Sequence, residues 1–178
     1  MAKIPSVNQL KEQLNERLFG GPLIQNNVRG EYVEQIVANC LSNDWAHCAG
    51  DWAGSDFERT DGVRLQVKQS ADLQTWGAAK RPASFSIAPA TGYYLNGAKW
   101  IAEPGRPAHL YLFAWHGVVD ETADHTAPRQ WQFFAVSEPA LPINAKTISV
   151  RTLNRLAKPL GATAISVEVD RLADRFGH

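Results

Sequence analysis

Asp56, Gln66 and Lys68 are close enough along the chain to form one reactive cluster. Val63, Leu65 and Val67 alternate with Arg64, Gln66 and Lys68, the period of a half-buried β-strand. Ser55 to Arg59 reads as its partner strand. Thr60-Asp61-Gly62 reads as the turn between them, with Asp61 and Gly62 suited to the positive φ of a tight connection. If Arg59 pairs with Val63, Asp56 lies opposite Gln66, and Lys68 points to the same face two residues on. A slip of one residue would break this convergence. A carboxylate with a second oxygen donor suits a hard divalent cation, Mg²⁺ or in its place Mn²⁺. Such a cation polarises a phosphodiester and lowers the pKa of a bound water. An adjacent lysine orients that water or stabilises charge on the phosphorus. The spacing therefore predicts a phosphodiesterase centre, with Asp56 and Gln66 as metal ligands and Lys68 as the catalytic cation. Asp61 is better explained as a turn residue than as a ligand. Asp51, before a Trp-Ala-Gly loop, is a weak competitor for the metal.

The elements that must carry this hairpin can be read from hydrophobic periodicity. Val7, Leu10, Leu14 and Leu18 recur at spacings of three and four between Ser6 and Phe19, an amphipathic helix stopped at Gly20-Gly21-Pro22. Val33, Ile36, Val37, Cys40 and Leu41 form the stripe of a second helix from about Gly30 to Ser42. Two apolar runs, His109 to Trp115 and Gln130 to Val136, suit a central sheet, with a polar loop from Asp120 to Arg129 between them. Ser149 caps a short helix from Val150 to Ala157 that stops before Pro159. A last helix runs from roughly Glu168 to Phe176. This order predicts an α/β (α+β) fold, a central mixed β-sheet flanked by helices.

The chain has 178 residues, enough for one domain with a full core and no disulfide or metal staple. Apolar residues make up 44% and charged residues 20%, which excludes a disordered chain. Net charge is zero, so no global basic field marks a nucleic-acid partner. From Leu73 to Arg106, however, Lys80, Arg81, Lys99 and Arg106 face Glu103 alone, a local positive excess that suits a DNA backbone. Cys40 and Cys48 belong to no metal-ligand cluster, and no apolar run is long enough to span a membrane. Two thiols without a secretory segment predict a cytoplasmic protein.

The stretch "GSDFERTDGVRLQVKQSA" resembles the D…(D/E)xK signature of the PD-(D/E)XK, or restriction-endonuclease-like, nuclease superfamily. Here the signature reads Asp56…Gln66-Val67-Lys68. The segments "VKQSADLQTW", "FSIAPATGYY", "GRPAHLYLFAWH", "QWQFFAV" and "KTISVRTLNRLA" are similar to an uncharacterised bacterial branch of it. The resemblance spans roughly residues 29–157, leaving 1–28 as a helical extension and 158–178 as a tail of a single 1–178 domain. It implies a restriction-endonuclease-like core and a Mg²⁺-dependent DNA endonuclease leaving 5′-phosphate and 3′-hydroxyl ends. Through a G-x-x-x-E pattern it nominates Glu34 as a further ligand, with Glu31 as alternate. It also allows a homodimer, a common arrangement for cutting two strands.

Gln66 departs from the superfamily's carboxylate. Glutamine keeps an oxygen ligand but gives up a charge, which weakens metal affinity. A binding module of the same fold with a weakened centre, or a subunit of a restriction or defence assembly, is the alternative. Gln69, Ser70, Gln74, Lys80, Arg81 and Arg106 are candidate nucleic-acid contacts. Trp76 fits either that group or, better, the core. His116 and His125, flanking the polar loop, are either structural or a base and phosphate ligand.

Overall fold

Ser6 starts the chain's first helix as expected. Its hydroxyl accepts the Gln9 N–H at 3.2 Å and the Gln9 side chain accepts the Ser6 N–H at 2.9 Å, a reciprocal capping box. The computed structural model describes residues 4–48, 53–95 and 98–177. In it α1 spans Val7–Phe19 and buries none of its residues, meeting the body through Phe19, whose ring lies 5.5 Å from that of Tyr32. The second helix, α2, spans Asn26–Ala38 rather than Gly30 to Ser42. The apolar spacing misleads at its end. Cys40 and Leu41 lie in the turn after the helix, with both N–H groups bonded to the Val37 carbonyl, and still pack on the core.

The central sheet has five strands in the order β1(Trp45–His47), β2(Phe57–Arg59), β3(Arg64–Ala71), then the strands Leu110–His116 and Trp131–Ser137. Between β3 and Leu110–His116 lie three small pieces. One is the hairpin β4(Leu73–Gln74)–β5(Gly77–Ala78), the next the strand β6(Ser84–Ser86), and the last the hairpin β7(Tyr93–Leu95)–β8(Lys99–Ile101). Leu110–His116 is therefore β9 and Trp131–Ser137 is β10. β3 runs parallel to β9, and the other pairings of the sheet are antiparallel, so it is mixed, as expected. The last strand, β11(Thr147–Ser149), pairs with β6.

Alternation along the strands divides the core in two. Leu65 and Val67, Leu112 and Ala114, Phe133 and Ala135 join Val33, Ile36 and Val37 of α2 on one face. Tyr111 and Phe113, with Phe134 and Val136, meet Phe85, Ile148 and Leu153 on the other. A strand buried on both faces has no solvent side to supply polar residues, so β9 reads as an almost unbroken apolar run. Helix α3(Val150–Leu156), capped by Ser149 accepting from Thr152 at 3.2 Å, covers the second face. Helix α4(Ile165–Ala173) begins earlier than expected and is no appendage: Ile165, Val169, Leu172 and Ala173 belong to the first core cluster. No helix among the described residues is long and apolar enough to cross a membrane.

Candidate active site

Asp56 sits where β2 begins, and its backbone ties three strands together. Its N–H donates to the Leu65 carbonyl at 3.0 Å and its carbonyl accepts from Cys48 at 2.8 Å. Phe57 faces Leu65 and Glu58 faces Arg64, the register inferred from the turn, which places Asp56 beside Gln66. The Asp56 Oδ2 accepts the Val67 N–H at 2.6 Å, so the carboxylate takes the place a backbone carbonyl would hold had the ladder continued. The same oxygen accepts the Gln66 amide Nε2–H. Gln66 thus orients the carboxylate through its nitrogen, leaving its oxygen Oε1 for another partner.

Burial is the largest influence on Asp56, and the neighbouring Glu34 carboxylate adds to it. Together they raise its pKa to about 6, against the Val67 N–H bond and the lesser pull of Lys68 and His47. Glu34 comes from α2 and holds His47 of β1 at 3.1 Å, while the His47 ring packs 4.9 Å from Phe57. Of the two glutamates open to choice, Glu34 therefore lies at the centre; Glu31 is exposed on the helix. His47 is a member of the site that sequence reasoning misses. A three-residue strand carries no periodic signal, and only the assembled sheet sets it beside Glu34.

Among the described residues no three His, Cys, Asp or Glu side chains converge as a metal-binding group. The residues that could hold a cation here are Asp56, with the Glu34 carboxylate near it, and Gln66 through its amide oxygen. These are oxygen donors of the kind hard divalent cations take, and two carboxylates held against mutual repulsion fit such a cation.

Other candidates divide sharply. Arg106 is a correction: its guanidinium is buried and donates to the carbonyls of Ile87 (2.7 Å), Pro142 (2.7 Å) and Ala145 (3.2 Å), with Glu138 beside it. It pins the β6 and β11 segments and is not free for a DNA backbone. Arg106→Ala should lower stability by about 2 kcal/mol, from the carbonyls left unpaired, without altering the activity of the folded fraction. Urea unfolding checks the first part, and an equal loss of turnover per folded molecule would contradict the second.

Gln69 and Gln74 are likewise committed. Gln69 Oε1 accepts from Arg29 Nε at 2.7 Å and Gln74 Oε1 from Arg29 Nη1 at 3.0 Å, while Asn26 takes Nη2 at 2.7 Å. Arg29 is 1% exposed. Lys80 and Arg81 are exposed, and Ser70 is half-buried near them. Trp76 is a second correction: expected in the core, it is 72% exposed. Asp61 serves the turn, bonded to Arg59. Asp51 lies outside the described residues.

His116 and His125 are structural and fully buried, their rings 4.8 Å apart beside Trp131. His125 Nδ1 accepts the Ile24 N–H at 3.0 Å, and His116 Nε2 meets Gln130 Oε1 at 3.0 Å. Burial first, then Arg29 and His116, hold the His125 pKa down at about 4. The unfolded chain takes up that proton near the ordinary value of 6.5, so acid favours unfolding as pH falls from 6.5 towards 4. Asparagine at 125 keeps an acceptor for Ile24 and cannot titrate. Between pH 7 and 5, wild type should lose about 2 kcal/mol more stability than His125→Asn in urea titrations. Equal losses would mean that His125 is protonated in the folded protein.

Set against protein-family models, curated proteins and solved structures, the chain matches none of them.

Proposed function

We propose that this protein is a divalent-cation-dependent nuclease hydrolysing phosphodiester bonds in DNA, built on a restriction-endonuclease-like core. The observation that carries the reading is the Asp56 carboxylate held by the Gln66 amide and the Val67 N–H beside Lys68, and raised to about pKa 6 first by burial and then by the nearby Glu34. Such perturbed carboxylates mark functional sites, because a fold holds like charges together only at a cost in stability.

Glu34, Asp56 and the Gln66 oxygen would hold Mg²⁺ or Mn²⁺. When bound, the cation supplies Lewis-acid polarisation of the phosphodiester and a more acidic water. Asp56 is kept in one rotamer by Val67 and Gln66, so its free oxygen is aimed before a ligand arrives. His47 holds Glu34 in the same way from the sheet edge. Lys68 lies two residues beyond Gln66, about 7 Å along the strand. There its ammonium can orient the attacking water and offset charge accumulating on the phosphate oxygens.

The test is cleavage of plasmid and single-stranded DNA with Mg²⁺ or Mn²⁺. Nicking or linearisation that stops on adding EDTA is expected, and intact substrate with either metal would refute the enzyme. One observation favours a second reading, a nucleic-acid-binding module of the same fold. Gln66 brings no charge and occupies an Asp56 oxygen, which lowers metal affinity. Retention of DNA in EDTA without cutting under any metal would select it.

A further inference from the structure

The polar face of β3 runs from Arg64 through Gln66 and Lys68 to Ser70, and each end of it meets an aromatic hairpin. At the Arg64 end stands β7–β8. The Arg64 guanidinium lies 5.5 Å over the Tyr93 ring and donates to its hydroxyl at 3.2 Å, which seats that hairpin on the strand. Across β7–β8, Tyr94 pairs with Trp100, their rings 5.1 Å apart and close to edge-on. Both remain exposed, at 38% and 43%. At the Ser70 end β4–β5 follows directly, and its turn lifts Trp76 to 72% exposure. A cleft of about 520 Å³ beside it is lined by Trp76, Ser70, Lys80 and Arg81, with no carboxylate among its described lining residues. Asp72, next along the chain, is occupied by the Trp115 indole N–H at 3.2 Å.

Asn26 and Gln74, which also line that cleft, hold the buried Arg29. Its three partners are neutral amides, so its charge is not cancelled where it stands. Burial lowers its pKa to about 10, which still leaves it a cation at neutral pH. The rim of the cleft is therefore positive, with a buried cation behind it, and the ligand it suits is a polyanion.

Phosphates alone do not account for indoles held out in water at both ends of the face. Exposed aromatic surfaces beside a cationic cleft match unstacked bases, which a B-form duplex keeps inside its stack. Resting on the phosphodiesterase reading of the centre, we propose that the strand entering this site is single-stranded nucleic acid. One base stacks on Trp76 and another on the Tyr94–Trp100 pair, while Lys80 and Arg81 take the phosphates beside Trp76. Arg64 and Ser70, the β3 residues at the two hairpins, lie about 20 Å apart along the strand, with Lys68 and Gln66 between them.

Binding in EDTA separates this from catalysis. Fluorescein-labelled (dT)20 and a 20-base-pair duplex are titrated by anisotropy with wild type, Trp76→Ala, Trp100→Ala and Lys80→Ala/Arg81→Ala. The expected result is at least tenfold tighter binding of (dT)20 than of duplex, with each tryptophan variant losing about fivefold or more on (dT)20. The double cation variant should flatten the salt dependence as well. All these side chains are exposed, and unchanged melting temperatures would show that the fold survives. Duplex bound as well as (dT)20, no binding of either, or full affinity in both tryptophan variants would overturn the proposal. In the last case the indoles would be left as contacts for another kind of partner. Failure of the nuclease reading shows separately, as absence of metal-dependent cutting by a protein that still binds (dT)20 through Trp76 and Trp100.

Discussion

Lys68→Ala should fold like the wild type and, on the proposed reading, lose metal-dependent cleavage by at least about a hundredfold with DNA affinity nearly unchanged. The Lys68 side chain forms no hydrogen bond or ion pair with any described residue, and it lies on the half-buried polar face of β3. Removing it therefore breaks no side-chain hydrogen bond or ion pair and takes no member from either core cluster. What it deletes is the cation next to the Asp56 carboxylate, which is felt there as a downward pull on its pKa. An interaction realised mainly as charge builds up on the phosphate affects turnover and leaves ground-state binding almost intact. Single-turnover cleavage with Mg²⁺ at saturating protein measures it. Wild-type cutting by Lys68→Ala would remove the lysine from the chemistry and with it the assignment of the centre.

Asp56→Asn should move two properties in opposite directions: on the proposed reading the protein becomes more stable and cleavage is lost. In the folded chain the Asp56 carboxyl is pushed up from 3.8 to about 6, so its ionisation opposes folding. The sign follows from proton uptake. Between pH 3.8 and 6 the folded state holds the proton more tightly, so this group's own contribution to stability is greatest below 3.8 and is lost as pH rises through 6, opposite in sign to that of His125. Asparagine retains an oxygen for the Val67 N–H and has no charge to set against Glu34. At pH 7.5 the variant should gain about 2 kcal/mol, read as a higher urea midpoint. Mg²⁺ would act from the other side: held by the ionised carboxylate, it should raise the wild-type melting temperature above pH 6, do so less below it, and leave Asp56→Asn unmoved. A variant no more stable than wild type would mean that the carboxylate is not strained. A Mg²⁺ shift that persists in the variant would place the metal elsewhere.

The convergence of Asp56, Gln66 and Lys68 is legible in the sequence because everything that brings them together is local. A three-residue turn with Gly62 at φ +86° and a period of two set the register within about a dozen residues of chain. The Ser149 cap is legible for the same reason, since it bonds three residues ahead. The parallel pairing of β3 with β9 can be expected only as part of a mixed sheet. Its partners, such as Lys68 and Phe113, lie far apart in sequence, and nothing near either one specifies the other.

Composition does not sort residues of one type by their long-range partners. Glu31 and Glu34 are equivalent until the sheet places His47 and Asp56 beside one of them. Arg106 and Arg81 both read as free cations. Three carbonyls from distant loops enclose the first, and the second stays in water. Trp76 reads as core by residue type, but a two-residue turn directs its ring outward. Strands of three residues, β1, β6 and β11 among them, offer no periodicity to detect, because they exist only through the neighbours they pair with. Short-range hydrogen bonds and alternation thus write the candidate catalytic hairpin into the chain. Which charges are neutralised, which aromatics meet solvent and which acid joins Asp56 depend on contacts tens of residues apart, and these come into being only when both core faces close over the sheet.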